Sequence, residues 1–289
     1  MKRIAEPASA LRGRIGHAIF SRVAGPDGPA TRARIHGTPG PRWFAPESPV
    51  RRVHGDASMF IGGLSALLLQ SLHPLAMAAV AAHSGFRGDP WGRLQRTSTF
   101  LAVTTYGTAD SAQQAVDRVR AVHDTVRGTA PDGREYHASD PHLLRWVHVA
   151  EVDMFLRAHQ RYGARPLDDA GCDGYVAGMA RIATALGVPD PPVDLAELAE
   201  RLAAYRPELH ATPDALATTR FLLLDPPVPL LARLPYGVLA ANAVSLLPPW
   251  ASRALRVPRL PADGLCVRPL GSAVTAGIRW ALASARPAA

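Results

Sequence analysis

The sequence predicts an all-α protein: a single large helical domain spanning 51–289, preceded by an extended basic arm over 1–50. Three observations predict it. Asp-Pro pairs and cap-like polar residues mark repeated helix starts, apolar residues recur at helical spacing after residue 57, and no stretch alternates with period two between hairpin turns.

At 289 residues and 47% hydrophobic content the chain is long enough to bury one large core. Cys172 and Cys266 lie far apart in no metal-type spacing, which excludes a disulfide framework or zinc knuckle and fits a reducing cytoplasm. The N-terminus is basic without the continuous apolar run of a secretory signal, so export is not expected. The formal charge is +8, yet Lys2 is the only lysine and the arginines are spread along the chain. With no recognised motif beside it, that charge does not predict nucleic-acid binding, although the arm allows peripheral contact with anionic lipid.

Pro26, Gly28, Pro29, Gly37, Pro39, Gly40 and Pro41 break up the arm, leaving one short helix near Ala8–Val23. Ala57 to Ala82 holds no Asp, Glu, Lys or Arg. It is long enough to span a bilayer, but Gly62, Gly63, Gln70, Ser71, His73 and Pro74 are poor lipid-facing residues, so it reads as a core helix. Asp89-Pro90 supplies a cap and first-turn proline for a helix to about Thr105, and Asp110 with Gln113 a capping box for one ending at Gly128. Asp140-Pro141 opens a helix to about Tyr162. Further helices are expected over Asp173–Leu186, Asp194–Ala204, Pro213–Leu223, Tyr236–Leu247 and Ser272–Ala285.

Polar residues on these helices carry the chemistry. Arg93, Arg96, Thr97, Phe100, Leu101 and Thr104 share one stripe, so two arginines enter at the end of a core-facing surface or remain snorkelling cations. On the next helix His123 continues the apolar stripe Ala112, Val116, Val119, with Arg120 and Arg127 along the same edge. A neutral imidazole with guanidinium groups nearby suits an anionic, carboxylate-bearing metallocofactor such as haem, while a hydrogen-bonded core histidine is the plainer reading. His148 and Glu151 reverse the Glu-x-x-His order of di-iron bundles, and the Ala57–Ala82 helix lacks the paired carboxylates such a site needs. His73, in the charge-free helix, is a candidate pocket residue. No phosphate loop or Gly-x-Ser-x-Gly elbow is present.

The run LLLQSLHPLAMAAVAAHSGFRGDPWGRLQRT, followed by TTYGT, VRAVHDTVRG and YHASDPHLLRWVH, closely resembles the catalytic domain of the MpaB and rubber-oxygenase family over roughly Val53 to Leu260. The resemblance implies that the helical domain encloses a pocket for haem b, with His123 as the proximal ligand to iron and Arg93, Arg96 and Thr97 beside it. Beside these, Arg120 and Arg127 from the helix edge and His73, His83 and His148 from the neighbouring segments are taken as candidate cofactor-binding residues. Two departures stand out. Arg96 occupies the place of a lysine that caps the iron in rubber oxygenases, and a guanidinium has no lone pair to offer. Where those enzymes carry a distal glutamate, this chain has Ala82 and His83, so polyisoprene is not implied as substrate. The resemblance makes the chain an oxygenase using O2 on a hydrophobic small molecule or lipid-like substrate, in the cytoplasm or membrane-associated, with oligomeric state open. The alternatives are a non-catalytic haem carrier or sensor and a cofactor-free membrane-surface protein using Pro226–Pro249.

Overall fold

The computed structural model describes residues 2–85, 88–259 and 263–283, with side chains described from residue 10 onward except at 86, 87 and 260–263. Among the described residues the protein is all-α, 73% helical with 14 helices. In order these are α1 Lys2–Ala24, α2 Gly28–Gly37, α3 Pro49–His54, α4 Met59–Gln70, α5 Pro74–His83, α6 Pro90–Tyr106 and α7 Ala109–Thr125. After a hairpin of β1 Arg127–Thr129 and β2 Glu135–His137 come α8 Pro141–Tyr162, α9 Asp169–Leu186, α10 Leu195–Ala204, α11 Pro213–Leu224, α12 Leu230–Leu246, α13 Pro249–Ala254 and α14 Arg268–Ala283. The expected helix ending at Ala285 runs past the described residues.

α8 is the spine. It buries Trp146, Val149, Ala150, Val152, Met154, Phe155 and Ala158, and packs against α4, α9, α10 and α12. Its closest neighbour is α4, and Gly62 is the reason: a Cβ there would meet the Ala158 methyl at 3.1 Å and the Phe155 Cα at 3.2 Å. Only a bare backbone lets the two axes come this near. Polar side chains then join the helices where backbone groups would be left over. Trp146 Nε1 donates to the Gln70 carbonyl at 3.1 Å near the end of α4, and Ser65 Oγ reaches the Ala243 carbonyl on α12 at 3.2 Å. Arg279 on α14 pairs with the Asp56 carboxylate at 2.9 Å, which also accepts from the Ser58 and Ala164 amides. These donors hold the Asp56 carboxyl below its ordinary range against the burial that opposes them.

The structure corrects several expectations. The Ala57–Ala82 segment is not one helix but α4 and α5, bent by 109°. His73 precedes Pro74, whose ring disfavours helical backbone at the preceding residue, and His73 is extended at φ −85, ψ 115. No single helix among the described residues is long and apolar enough to cross a membrane. Residues 1–50 are mostly helical rather than extended: Gly25, at φ 78, ends α1, and Pro29 sits in the first turn of α2, so the breakers mark helix ends. α1 packs against α6 and α14, with Arg12 Nε donating to the Trp280 carbonyl at 2.8 Å and Arg22 lying 4.7 Å over the Trp91 ring. α7 is capped by Thr108, which accepts from the Ser111 amide, rather than by Asp110. It stops at Thr125, because the chain enters β1, which pairs antiparallel with β2 through Gly128 and Tyr136. Gly133, at φ 87, makes the turn. The short helices α3 and α13 and the early start of α12 at Leu230 were not foreseen from the pattern.

Gly62→Val should destabilise the protein by about 1–3 kcal/mol through overpacking of α4 on α8. Gly63→Ala, where nothing lies within 4 Å, should instead be neutral or stabilising. Denaturant melts of the two variants separate these outcomes.

Candidate active site

Near the C-terminal end of α7, His123 is half-buried and its Nδ1 is buried without a hydrogen-bond partner. Burial holds this imidazole below its ordinary pKa, with the neighbouring Asp124 charge opposing the shift, so it is a neutral donor. It lines a small cavity of about 130 Å³ together with Arg120, Asp124, Ser139, Leu144, Leu186 and Gly187. Ser139 Oγ donates to Asp124 at 2.6 Å, fixing the rim.

From Leu144 in that cavity, helical spacing runs inward along α8 through His148, Glu151 and Phe155. His148 is deeply desolvated, its pKa pushed down to about 4, and its Nε2 is buried without a partner. Glu151 is pushed up to about 7 by desolvation alone. Both residues nevertheless keep some accessible surface. Beyond them lies a hydrogen-bonded chain: Tyr175, whose phenol is raised by burial and by the nearby Glu151 charge, sits 3.3 Å from His54 Nε2, and His54 Nδ1 is 2.8 Å from Thr105 Oγ1. His54 is itself pushed down to about 4, chiefly by burial. The Phe155 ring meets the His54 ring edge-on at 5.8 Å. A carboxyl that titrates near neutrality beside neutral imidazoles is equipped to hold or move a proton.

The other predicted residues are dispersed around this stripe. Arg93 is half-buried and donates to Ser84 Oγ at 2.9 Å, and burial lowers its pKa. Arg96 and Thr97 are exposed, and Arg96 faces Asp89 at 3.4 Å in solvent. The expected core-facing stripe of α6 therefore holds at Phe100, Leu101 and Thr104 and emerges into water at Arg96 and Thr97. Arg120 and Arg127 are exposed, and they reach the carbonyls of Ala185 and Asp124 near the ends of α9 and α7, where cations complement the helix dipole. His83 is exposed, 3.1 Å from the Tyr136 hydroxyl. His73 lies at the start of α5 against His142, Trp146 and Tyr205, and none of its contacts reaches His123.

Glu151 is the residue that sequence reading undervalued: it stood out there only as part of a reversed motif, and its spacing from His148 was the available signal. Haem, which the resemblance implies, asks for an imidazole with a free nitrogen and for nearby cations. His123 Nδ1 and the flanking Arg120 meet both demands. The 130 Å³ cavity is smaller than the roughly 300 Å³ at which drug-sized ligand pockets begin, so the donors fit and this volume does not. A second, apolar cavity of about 640 Å³ lies between α11, α12 and residues 255–259, and it shares no lining residue with the first.

A family model described as the catalytic domain of the ER-bound oxygenase mpaB/B' and rubber oxygenase matches residues 51–279. Uncharacterized proteins of Mycobacterium bovis and of Mycobacterium tuberculosis are each 36% identical over 102 residues, 35% of this chain and 39% of each relative. The chain thus matches well under half the length of these curated relatives. No solved structure matches significantly.

Glu151, raised from 4.5 to about 7, binds a proton in the folded state that the unfolded chain releases, so its contribution falls as pH rises through that window. His148 and His54, lowered from 6.5 to about 4, act oppositely, and their contribution is lost as pH falls from 6.5 towards 4. Glu151→Gln should therefore melt a few degrees higher than the parent well above pH 7 and no higher below pH 4.5. Thermal melts across pH check this, and equal shifts at both ends would exclude a desolvated carboxyl.

Proposed function

The chain belongs to the family of the mpaB/B' and rubber-oxygenase catalytic domain, and from that premise we propose that it is a haem b-dependent oxygenase acting with O2 on a hydrophobic small molecule or lipid-like substrate. The observation that carries this reading is the buried, unpartnered Nδ1 of His123. An orphaned imidazole nitrogen in a core costs several kcal/mol unless something takes its lone pair or proton. His123 would offer it to the iron of a porphyrin, for which the present cavity must widen, and that group when bound would supply the activation of O2.

The protein's own residues have separable tasks. His123 holds the cofactor from α7, with Arg120 and Arg127 offering cations for its carboxylates at the same helix end. Glu151 is the proton-handling group: desolvation keeps it part-protonated near neutral pH, the condition for general acid or base work. It stands in chemical role for the glutamate absent beside His83. Thr105, His54 and Tyr175 form a hydrogen-bonded relay close to it. Leu144 and Leu186 give the His123 cavity apolar walls, which suits a greasy substrate.

Protein from cells supplied with iron and a haem precursor should show a Soret band that His123→Ala removes or strongly alters. A colourless, helical parent would sink the reading, and a band unmoved by His123→Ala but altered by His148→Ala would reassign the ligand. In haem-loaded protein, Glu151→Gln should lower substrate-dependent O2 uptake by on the order of 100-fold without moving the band. A coloured protein that takes up no O2 with any apolar substrate would be a carrier or sensor.

A further inference from the structure

We propose that His73, His142 and Glu208 form a binding site for a divalent transition metal, best matched by Zn²⁺, which staples the start of α5 and the start of α8 to the 3-10 turn at Arg206–Glu208. The site stands apart from the proposed oxygenase centre and does not depend on it. Its three donors come from segments far apart in sequence, yet one ligand atom from each lies within 4.8 Å of the others.

The separations match the chemistry. Zinc bonds of about 2.0–2.2 Å to imidazole and carboxylate in a tetrahedron place the donor atoms roughly 3.3–3.6 Å apart. His73 Nε2 stands 3.4 Å from Glu208 Oε2, and His142 Nε2 stands 2.8 Å from the same oxygen and 3.1 Å from Oε1. The first distance already suits a bridged pair, and the second is a hydrogen bond that opens by about half an ångström when a metal replaces the proton.

His73 is the independent sign of a ligand. It is 1% exposed, and its buried Nε2 has no hydrogen-bond partner although it faces Glu208. Its approach to Glu208 Oε2, at 3.4 Å, is longer than a good hydrogen bond. Trp146 and Tyr205 wall the ring, and Tyr205 is itself fixed by its hydroxyl, which donates to the His142 carbonyl at 2.8 Å. At the other face Nδ1 accepts from the Ala76 amide at 3.5 Å, a long N-cap contact that the Nδ1-protonated tautomer needed for Nε2 to bind metal must give up. His142 and Glu208 are about half exposed, which leaves an entry path and room for water as the fourth ligand. The Arg134 charge lies close enough to be felt by both His73 and Glu208 and works against a dication, so the expected affinity is moderate.

The simpler reading of the cluster is a carboxylate shared by two imidazoles, and the experiment separates the two. Chelator-treated full-length protein, in which any porphyrin-held iron stays in place, is titrated with Zn²⁺ alone by calorimetry and with Co²⁺ by visible absorption. The expected result is one equivalent of Zn²⁺, a tetrahedral Co²⁺ spectrum, and a higher melting temperature with metal. His142→Ala and Glu208→Gln, both at half-exposed positions, should weaken Zn²⁺ by on the order of 100-fold or more and abolish the melting shift while leaving helical content unchanged. No saturable binding, or binding and melting shift unchanged in both variants, overturns the metal site and leaves the shared proton. The Soret band bears on the oxygenase reading alone, so the two succeed or fail separately.

Discussion

Everything in this fold is arranged around the burial of α8 on nearly all sides. Few residues of this helix, His142 and Arg157 among them, meet water freely, so most polar groups along it must find a partner within the protein. Most do: Asp153 is held by Arg157 at 2.8 Å, His159 Nε2 lies 3.1 Å from the Arg165 carbonyl, and Trp146 donates to α4. His148 and Glu151 do not close in this way. No hydrogen bond or ion pair to the Glu151 carboxyl occurs among the described residues, and the His148 Nε2 is orphaned. Arg145 Nε and His159 Nδ1 on the same helix are likewise buried without a partner, so what sets this stretch apart is the pairing of the orphaned His148 Nε2 with the desolvated Glu151 one turn away.

What the sequence disclosed divides along physical lines. Signals that act within one turn were legible: Asp89 and Asp140 cap their helices as the Asp-Pro pairs foretold, and Pro90 and Pro141 occupy the first turns. The break between α4 and α5 was harder to see, since a segment apolar on every face carries no period to interrupt, and only His73-Pro74 marked it. Strands of three residues are too short to alternate visibly, so the 127–137 hairpin read as helix end and loop. The site was half legible. His123 was recognised as a histidine on an apolar stripe and His148 as part of a reversed motif, but the nearness of the Glu151 charge to Tyr175 depends on how α8 meets α9, which no spacing within one helix encodes. The same holds for His73, whose company at residue 208 is brought by the fold alone.

The first turns of α6 show how finely a helix can divide neighbours in sequence. Three residues carry a side chain some 60° around the axis, and across that angle Arg93 turns toward Ser84 and partial burial while Arg96 turns to water and Asp89. An exposed pair of this kind contributes little to stability, so Arg96 is held only weakly where it lies. Arg93, fixed from two sides by burial and a hydroxyl, is the better-ordered cation of the two.

The docking of α1 on α14 has a consequence for how the protein is made. α1 meets α14 through Arg12 and Trp280, residues 268 positions apart in the sequence, so it gains this contact only after α14 has been made. Its other support, α6, arrives earlier. The outer layer thus closes last, as a long-range contact, while the α4–α8 spine is already complete behind it. Until α14 docks, the face of α1 that it covers is exposed, and an exposed helix face of this kind is open to chaperones or to other copies of the chain.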